Sequence, residues 1–255
     1  MQLWKGNKRL LVPIIVIWCL IIPMVPYQSM AGLMVVDDAN VLDTKAAAFD
    51  TLIRRDGEHL HNVTQLSLGL LNNLEIAIAF GSGFFLEGEN SWKYSLAGPS
   101  GQVKYRLMEG KPNGLPGVAV VAGVVTPYGT NGFGNPSWGD YAYLTLTESL
   151  GEKDRVLIHG NIGITYMKPD DYWRYATTWV VGTEVRLFSG LHYLGEIYHG
   201  DPIGGDYGGA FQTGLRYCFN EKIQVDVTGG TGLWGDKKPS TFFGIGLRWE
   251  FGPLW

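Results

Sequence analysis

Charged and titratable side chains recur at every second position in several segments of this 255-residue sequence. Side chains two apart on a strand share a face, so these groups would meet if the segments enclosed a space. Mixed charges around such a space could form a constriction that filters solutes. They could equally form ion pairs that fill the interior, because a lone charge in a low dielectric is costly. We predict that the following residues line a pore: Glu75, Lys104, Arg106, His159, Glu184, Arg186, Glu196, Arg216, Asp226, Arg248 and Glu250.

Residues with catalytic or metal-binding potential are few. His159 lies two residues from Asn161, but no serine accompanies it at the spacing found in lipid-hydrolysing barrels. Triads are defined by geometry rather than spacing, so an enzyme becomes a lesser alternative. His59 and His61 share a strand face, yet two histidines without further converging ligands rarely bind a metal. We therefore predict no catalytic site, no metal site and no cofactor.

The composition limits the class of protein. Glycine occurs 36 times, aromatic residues make up 13% of the chain and charged residues only 17%. Glycine weakens helices and aromatic residues favour strands, so these values argue against a coiled coil, a helical domain and a disordered chain. They favour an all-β fold.

Residues 1–31 have the three parts of a secretory signal peptide: a basic start, an apolar run and small residues before Gly32. We predict that this segment is cleaved, and a retained membrane anchor is the alternative. The remainder carries 17 basic and 24 acidic residues, because the segment contains three of the 20 bases and none of the acids. This acidic excess argues against nucleic acid as a partner.

Apolar and polar residues alternate along most of the remaining chain. In the last segment, Ile245, Leu247 and Trp249 alternate with small or charged residues. Such alternation predicts strands with one apolar and one polar face. The faces are not assigned for residues 141–150, and residues 45–54 would also suit a helix. We predict twelve strands, near residues 44–54, 60–70, 73–83, 98–108, 117–127, 140–150, 154–166, 175–188, 190–199, 207–218, 221–233 and 240–251.

The predicted connections alternate between short turns and longer loops. This pattern, with an even strand count, is typical of an outer-membrane barrel. Only helices and closed barrels satisfy their backbone groups in lipid. We therefore predict a transmembrane antiparallel up-and-down β-barrel over residues 44–255, after a short periplasmic segment at 32–43 that is too small for a plug domain. Both termini would be periplasmic. A secreted soluble barrel with its faces reversed is the alternative.

The longer loops carry most of the loop aromatic residues, such as Trp92, Trp138 and Trp173, and several acids. Aromatic rings favour the interface of outer-membrane lipids, although a vestibule that stacks ligands is an alternative. The acids could bridge lipopolysaccharide through divalent ions, or they could simply be solvated.

Several segments resemble a known family. Residues 116–129, with a late Pro127-Tyr128-Gly129, are similar to a strand of the "MetA-pathway of phenol degradation" family of outer-membrane β-barrel proteins. The segments at 98–107, 194–196, 213–217 and 246–251 are also similar to that family. In this sequence Gly252 to Trp255 follow the final strand, whereas family members often end on that strand's aromatic residue. Assembly by the outer-membrane machinery would use such a terminal aromatic residue.

The resemblance implies a barrel involved in transport. We therefore predict a passive channel for small solutes, and the resemblance favours aromatic or hydrophobic ones. A closed structural or surface-interaction barrel is one alternative, and a lipid-modifying enzyme is the lesser one.

Overall fold

The computed structural model describes residues 35–57, 59–86, 92–131, 137–151, 155–168, 173–201, 205–235 and 238–254. The predicted signal segment at 1–31 lies outside these residues. No helix among the described residues has the length and apolar character needed to cross a membrane. Twelve strands are present: β1 (Ala47–Asp56), β2 (His59–Leu71), β3 (Leu74–Phe85), β4 (Tyr94–Met108), β5 (Gly117–Val125), β6 (Gly139–Leu150), β7 (Val156–Met167), β8 (Arg174–Phe188), β9 (Leu191–Asp201), β10 (Gly205–Cys218), β11 (Ile223–Trp234) and β12 (Phe242–Phe251).

The strands form one closed antiparallel barrel in which each strand pairs with its neighbours in sequence and β1 pairs with β12. The predicted fold class is confirmed. Residues 47–54 are strand rather than helix, and β4 begins at Tyr94, four residues before the predicted start. This extension pairs with the end of β3, where Phe84 lies opposite Tyr94. Closure leaves no unpaired sheet edge.

The exposed and buried faces of the barrel are opposite to those of a soluble protein. Ile162 is 64% exposed and Ile245 is 59% exposed, although both lie within strands. Their polar neighbours point inward, as shown by Asn161, which is 8% exposed. A continuous apolar exterior of this kind suits acyl chains and would be unfavourable in water. The geometry therefore disfavours the soluble alternative.

The structure assigns the faces of β6, which the sequence left open. Tyr141, Tyr143, Thr145 and Thr147 are buried inside the barrel, whereas Leu146 is exposed on the outside. The two tyrosine rings stack with their centroids 6.2 Å apart. They pack with Val63, Ala79, Val121 and Val125 into an apolar cluster on the inner wall formed by β2, β3, β5 and β6.

Residues 35–43 lie inside the barrel, and we call them the luminal segment. The expectation that residues 32–43 form a periplasmic segment does not hold for this part of the chain, because its backbone bonds to inward-facing side chains of β3, β6 and β9. A dozen residues are too few for a plug domain. They are still sufficient to cross the interior, because an extended chain spans about 3.3 Å per residue.

Candidate functional site: a charged lumen crossed by the luminal segment

Asp37 is the most heavily bonded residue of the luminal segment. Its carboxylate accepts from Lys104 Nζ at 2.9 Å and from the hydroxyl of Tyr143 at 3.0 Å. Thr145 donates to its carbonyl oxygen at 2.8 Å. In the amide orientation that satisfies its neighbours, Asn161 also donates to that carbonyl and accepts the Asp37 N–H at 2.8 Å. β4, β6 and β7 thus jointly fix this residue about halfway along the barrel.

Lys104 also attracts the next residue of the segment. Its Nζ lies 3.5 Å from Asp38 Oδ1. Partial removal from water raises the pKa of Asp38, but the positive charge of Lys104, with His159 and Arg248 nearby, outweighs this effect and lowers the pKa below its usual value. Asp38 is therefore ionised at neutral pH.

The start of the luminal segment is bound by Glu196 at the middle of β9. The two oxygens of this carboxylate accept the N–H groups of Val35 and Val36, at 2.8 and 2.9 Å. The two valine side chains pack with Val180, Leu194, Tyr198 and Ala210 on the inner wall of β8 to β10. One carboxyl acceptor and one apolar patch thus hold this end.

The second half of the segment is held nearer to the short turns. The N–H of Leu42 donates to Glu75 Oε2 at 2.9 Å, and the N–H of Ala39 donates to Thr147 Oγ1 at 2.9 Å. The Thr147 hydroxyl lies 3.0 Å from His159 Nδ1. His159 therefore supports a hydroxyl that binds the segment, a structural role for the residue considered under the enzyme alternative.

Gly69 of β2 provides the space through which the chain passes from the lumen to the start of β1. Its carbonyl accepts the N–H of Lys45 at 2.8 Å, and its own N–H donates to Ala46 at 2.9 Å. A Cβ atom at this position would overlap the backbone oxygens of Leu42 and Asp43. A side chain is therefore excluded here, since the backbone passes too close.

A separate group of charges lies across the barrel from Lys104, on β8 to β11. Arg216 donates to both oxygens of Asp226 at 2.8 Å and to Glu184 at 2.6 Å. His192 Nδ1 lies 2.5 Å from the other oxygen of Glu184. The bidentate geometry makes this a strong, oriented pair. Three predicted pore residues, Glu184, Arg216 and Asp226, are therefore brought together.

A third group lies on β12 and β1. Arg248 donates to Glu250 at 2.8 Å and more weakly to Asp50 at 3.4 Å. Asp50 was not among the predicted residues, because the strand prediction for residues 44–54 gave no clear polar face.

A cavity of about 460 Å³ remains between the luminal segment and the wall formed mainly by β10, β11, β12, β1 and β2. Leu52, Val63, Leu194 and Leu247 add apolar surface to its lining. Eight of the predicted pore residues line it: Glu75, Lys104, His159, Glu184, Arg216, Asp226, Arg248 and Glu250.

The other three predicted residues lie elsewhere. Glu196 is occupied by the luminal segment. Arg106 donates to the carbonyl of Asn72 at 2.7 Å, in the turn between β2 and β3. Arg186 lies opposite His192 near the short turn that joins β8 and β9. Arg106 and Arg186 therefore lie near the end of the barrel with the short turns rather than at the cavity.

The paired histidines both lie near the carboxylate of Asp56. His59 Nδ1 bonds to Asp56 at 2.9 Å, and His61 Nδ1 lies 3.9 Å from the same carboxylate. Within the described ranges, no group of three or more potential metal ligands occurs. Asp56 instead links the ends of β1 and β2.

Sequence reasoning missed the wall residues that hold the luminal segment, chiefly Tyr143, Thr145, Thr147 and Asn161. The available signal was the alternation of the polar residues at 143, 145 and 147 with the apolar residues Leu144 and Leu146. The partners on the segment could not be found, because the paired residues are more than 100 positions apart in sequence.

Comparisons with known proteins show the fold. No protein-family model and no curated protein matches the sequence. The chain is similar in structure to the COG4313 outer membrane channel from Pseudomonas putida F1, with a TM-score of 0.63 and 14% identity over 84% of this chain and 98% of that one. It is also similar to the KdgM porin (TM-score 0.53, 10% identity, 80% of this chain and 99% of that one). The NanC porin gives a TM-score of 0.52, with 10% identity over 80% of this chain and 98% of that one. At these identities the likeness shows the fold alone, a barrel of the kind found in outer-membrane channels and porins.

Proposed function

We propose that this protein is an outer-membrane channel through which small solutes diffuse passively. The observation that carries the proposal is the charge-lined cavity of about 460 Å³ beside the luminal segment, inside a closed barrel with an apolar exterior. A barrel of twelve strands leaves a narrower interior than the 16-stranded porins. The luminal segment narrows it further, so only small solutes fit.

The fold of the neighbouring structures supports the proposal. The similar structures include an outer-membrane channel and two porins, and each matches over nearly its whole length. This likeness supports the broader part of the resemblance seen in the sequence, a barrel involved in transport. Membership in the phenol-degradation family, and a preference for aromatic or hydrophobic solutes, stay predictions.

We further propose which molecules the barrel contacts in the membrane. Its apolar exterior would contact outer-membrane lipids, with lipopolysaccharide at the longer loops, after insertion by the outer-membrane assembly machinery. Both termini would lie towards the periplasm: residues 35–43 lie in the lumen, but the chain passes from the lumen to β1 near Gly69 and leaves β12 near Leu254, both at the end with the short turns. Accessibility of a tag placed after residue 255 to a protease, in intact and in opened cells, tests this orientation.

A closed structural barrel is the second candidate. Its support is the density of bonds that hold the luminal segment, five of which tie Asp37 to the wall. If these bonds never open and the cavity is sealed at either end, no solute would pass.

Planar-bilayer recordings separate the two candidates. We expect discrete conductance steps from purified, heat-modifiable barrel, and a changed step size when Arg216, which lines the cavity, is replaced. The matched control is Arg55→Gln, since Arg55 lies on β1 next to Arg54 and does not line the cavity. Silence from correctly folded protein would favour the closed barrel, and lipid hydrolysis that His159→Ala abolishes would instead identify an enzyme.

A further inference from the structure

The charges around the cavity are unbalanced. Three cationic side chains line it: Lys104, Arg216 and Arg248. Eight carboxylates line it: Asp37, Asp38, Asp43, Asp50, Glu75, Glu184, Asp226 and Glu250. The formal charge of the lining is therefore −5 when every carboxylate is ionised. Protonation of any two carboxylates would still leave the lining with a formal charge of −3, so its net negative charge does not depend on one group.

The ion pairs do not remove this excess, because each cation is shared between two acids. Lys104 forms ion pairs with Asp37 and Asp38. Arg216 pairs with Glu184 and Asp226, and Arg248 pairs with Asp50 and Glu250. A network built only for stability would pair acids and bases one to one, since unmatched buried charge is costly.

Asp50 is only weakly compensated by its cation. It is 7% exposed, and its ionic partner among the described residues is Arg248, whose guanidinium lies 3.4 Å from Oδ1 and bonds more closely to Glu250. Its other oxygen, Oδ2, is buried and has no hydrogen-bond partner among the described residues. When it is ionised, a carboxylate placed in the cavity wall with so little compensation makes the nearby potential negative.

Asp38 adds a second source of negative potential from the opposite side of the cavity. Its side chain is 46% exposed, in contrast to that of Asp50, and it remains ionised beside Lys104. Asp50 belongs to the barrel wall and Asp38 to the luminal segment. An ion in the cavity would therefore meet carboxylates on both sides, within low-dielectric walls that focus the field.

We propose that this cavity is a cation-selective passage, in which Asp50 and Asp38 favour small cations over anions of the same size. The inference rests on the proposed channel function and adds the charge class of the solute. Small inorganic cations such as K⁺ are the simplest members of this class, and they serve as the probe.

The test is the reversal potential of single barrels in a planar bilayer under a KCl gradient, in a mildly alkaline buffer that keeps the carboxylates ionised. We expect the wild-type permeability ratio of K⁺ to Cl⁻ to be about five or more, and to fall at least about twofold in Asp50→Asn. Glu221→Gln is the matched control, because it also removes one negative charge but lies exposed in the turn between β10 and β11. This control should keep the wild-type ratio.

A second variant protects the test against misfolding. Asp38→Asn changes the luminal segment and leaves the wall intact, so it should lower the ratio even if Asp50→Asn fails to give a heat-modifiable barrel. Conductance without cation preference would overturn this inference and leave the channel function standing. An unchanged ratio in the folded Asp variants would overturn the assignment to these carboxylates. Absence of any conductance from folded wild-type protein would overturn both proposals.

Discussion

The ammonium group of Lys104 lies 2.9 Å from the carboxylate of Asp37, and this ion pair joins the barrel wall to the chain that precedes the first strand. Both side chains are largely buried, at 6% and 16% exposed. The pair is the best shielded of the contacts that hold the luminal segment through opposite charges. Its removal should therefore affect the segment more than the barrel.

Replacement of Lys104 by methionine should loosen the luminal segment. It leaves Asp37 and Asp38 close together without a cation, and breaking a buried pair in this way costs about 3–5 kcal/mol. We expect amide hydrogen exchange at residues 35–43 to become faster, with little change in the strands. Lys222→Met, in an exposed turn, is the control. Unchanged exchange in the Lys104 variant would contradict the role of this pair.

Gly69→Ala should displace the luminal segment without removing any bond donor or acceptor. The new methyl group would overlap the backbone oxygens of Asp43 and Leu42, which cannot rotate away as a side chain could. We expect a larger single-channel conductance and faster proteolysis within residues 35–43. The matched variant is Gly101→Ala, where the nearest atom to a new Cβ is 3.9 Å away. Equal behaviour of the two variants would show that the close approach at Gly69 is unimportant.

Arg216→Met should destabilise the whole barrel. Two buried carboxylates, Glu184 and Asp226, would lose their cation, and we expect the free energy of unfolding to fall by about 3–5 kcal/mol. Arg216→Lys keeps the charge but not the bidentate contact, so its loss should be smaller. Urea titration in lipid vesicles, followed by the gel shift of the folded barrel, measures both. A methionine variant as stable as the wild type would exclude a structural role for this network.

Ile162→Lys tests which side of the barrel faces lipid. Ile162 is 64% exposed near the middle of β7. A lysine near the bilayer midplane costs about 2–4 kcal/mol, whereas an exposed position in water tolerates it within about 0.5 kcal/mol. The control is Leu115→Lys, because Leu115 is 62% exposed but lies in the turn before β5. Folding yield in lipid vesicles should fall for Ile162→Lys alone, and equal yields would support a soluble barrel.

The strands were predictable because strand periodicity is a local property. The alternation of Val103 and Tyr105 with Lys104 and Arg106 could be recognised without any knowledge of other strands, and the structure places the apolar members outside. The same local signal left the faces of β6 unassigned, because the inner face includes the partly apolar Tyr141 and Tyr143, while the charged Glu148 falls in the outward-facing series of Leu144 and Leu146. Closure of the sheet then decided which side was inside.

The candidate site was only partly predictable. Eight of the eleven predicted residues line the cavity, because a charged side chain that points inward from the middle of a strand reaches the same interior space. Asp50 escaped prediction, and Arg106 was placed in the lumen although it bonds to a turn. The position of a side chain along the barrel axis depends on the register between neighbouring strands, and the sequence of a single strand does not specify that register.

The sequence by itself determined strands with one apolar and one polar face, because alternation with a period of two is a local property of each strand. Only the tertiary structure decided that the polar faces enclose a lumen and which residues occupy that lumen. The segment at 35–43 carries no periodic pattern, and its partners are remote: the N–H of Val35 meets a carboxylate 161 residues away. Contacts between residues so far apart in sequence arise when the barrel closes around the segment. The small cavity is the space that remains between the segment and the wall.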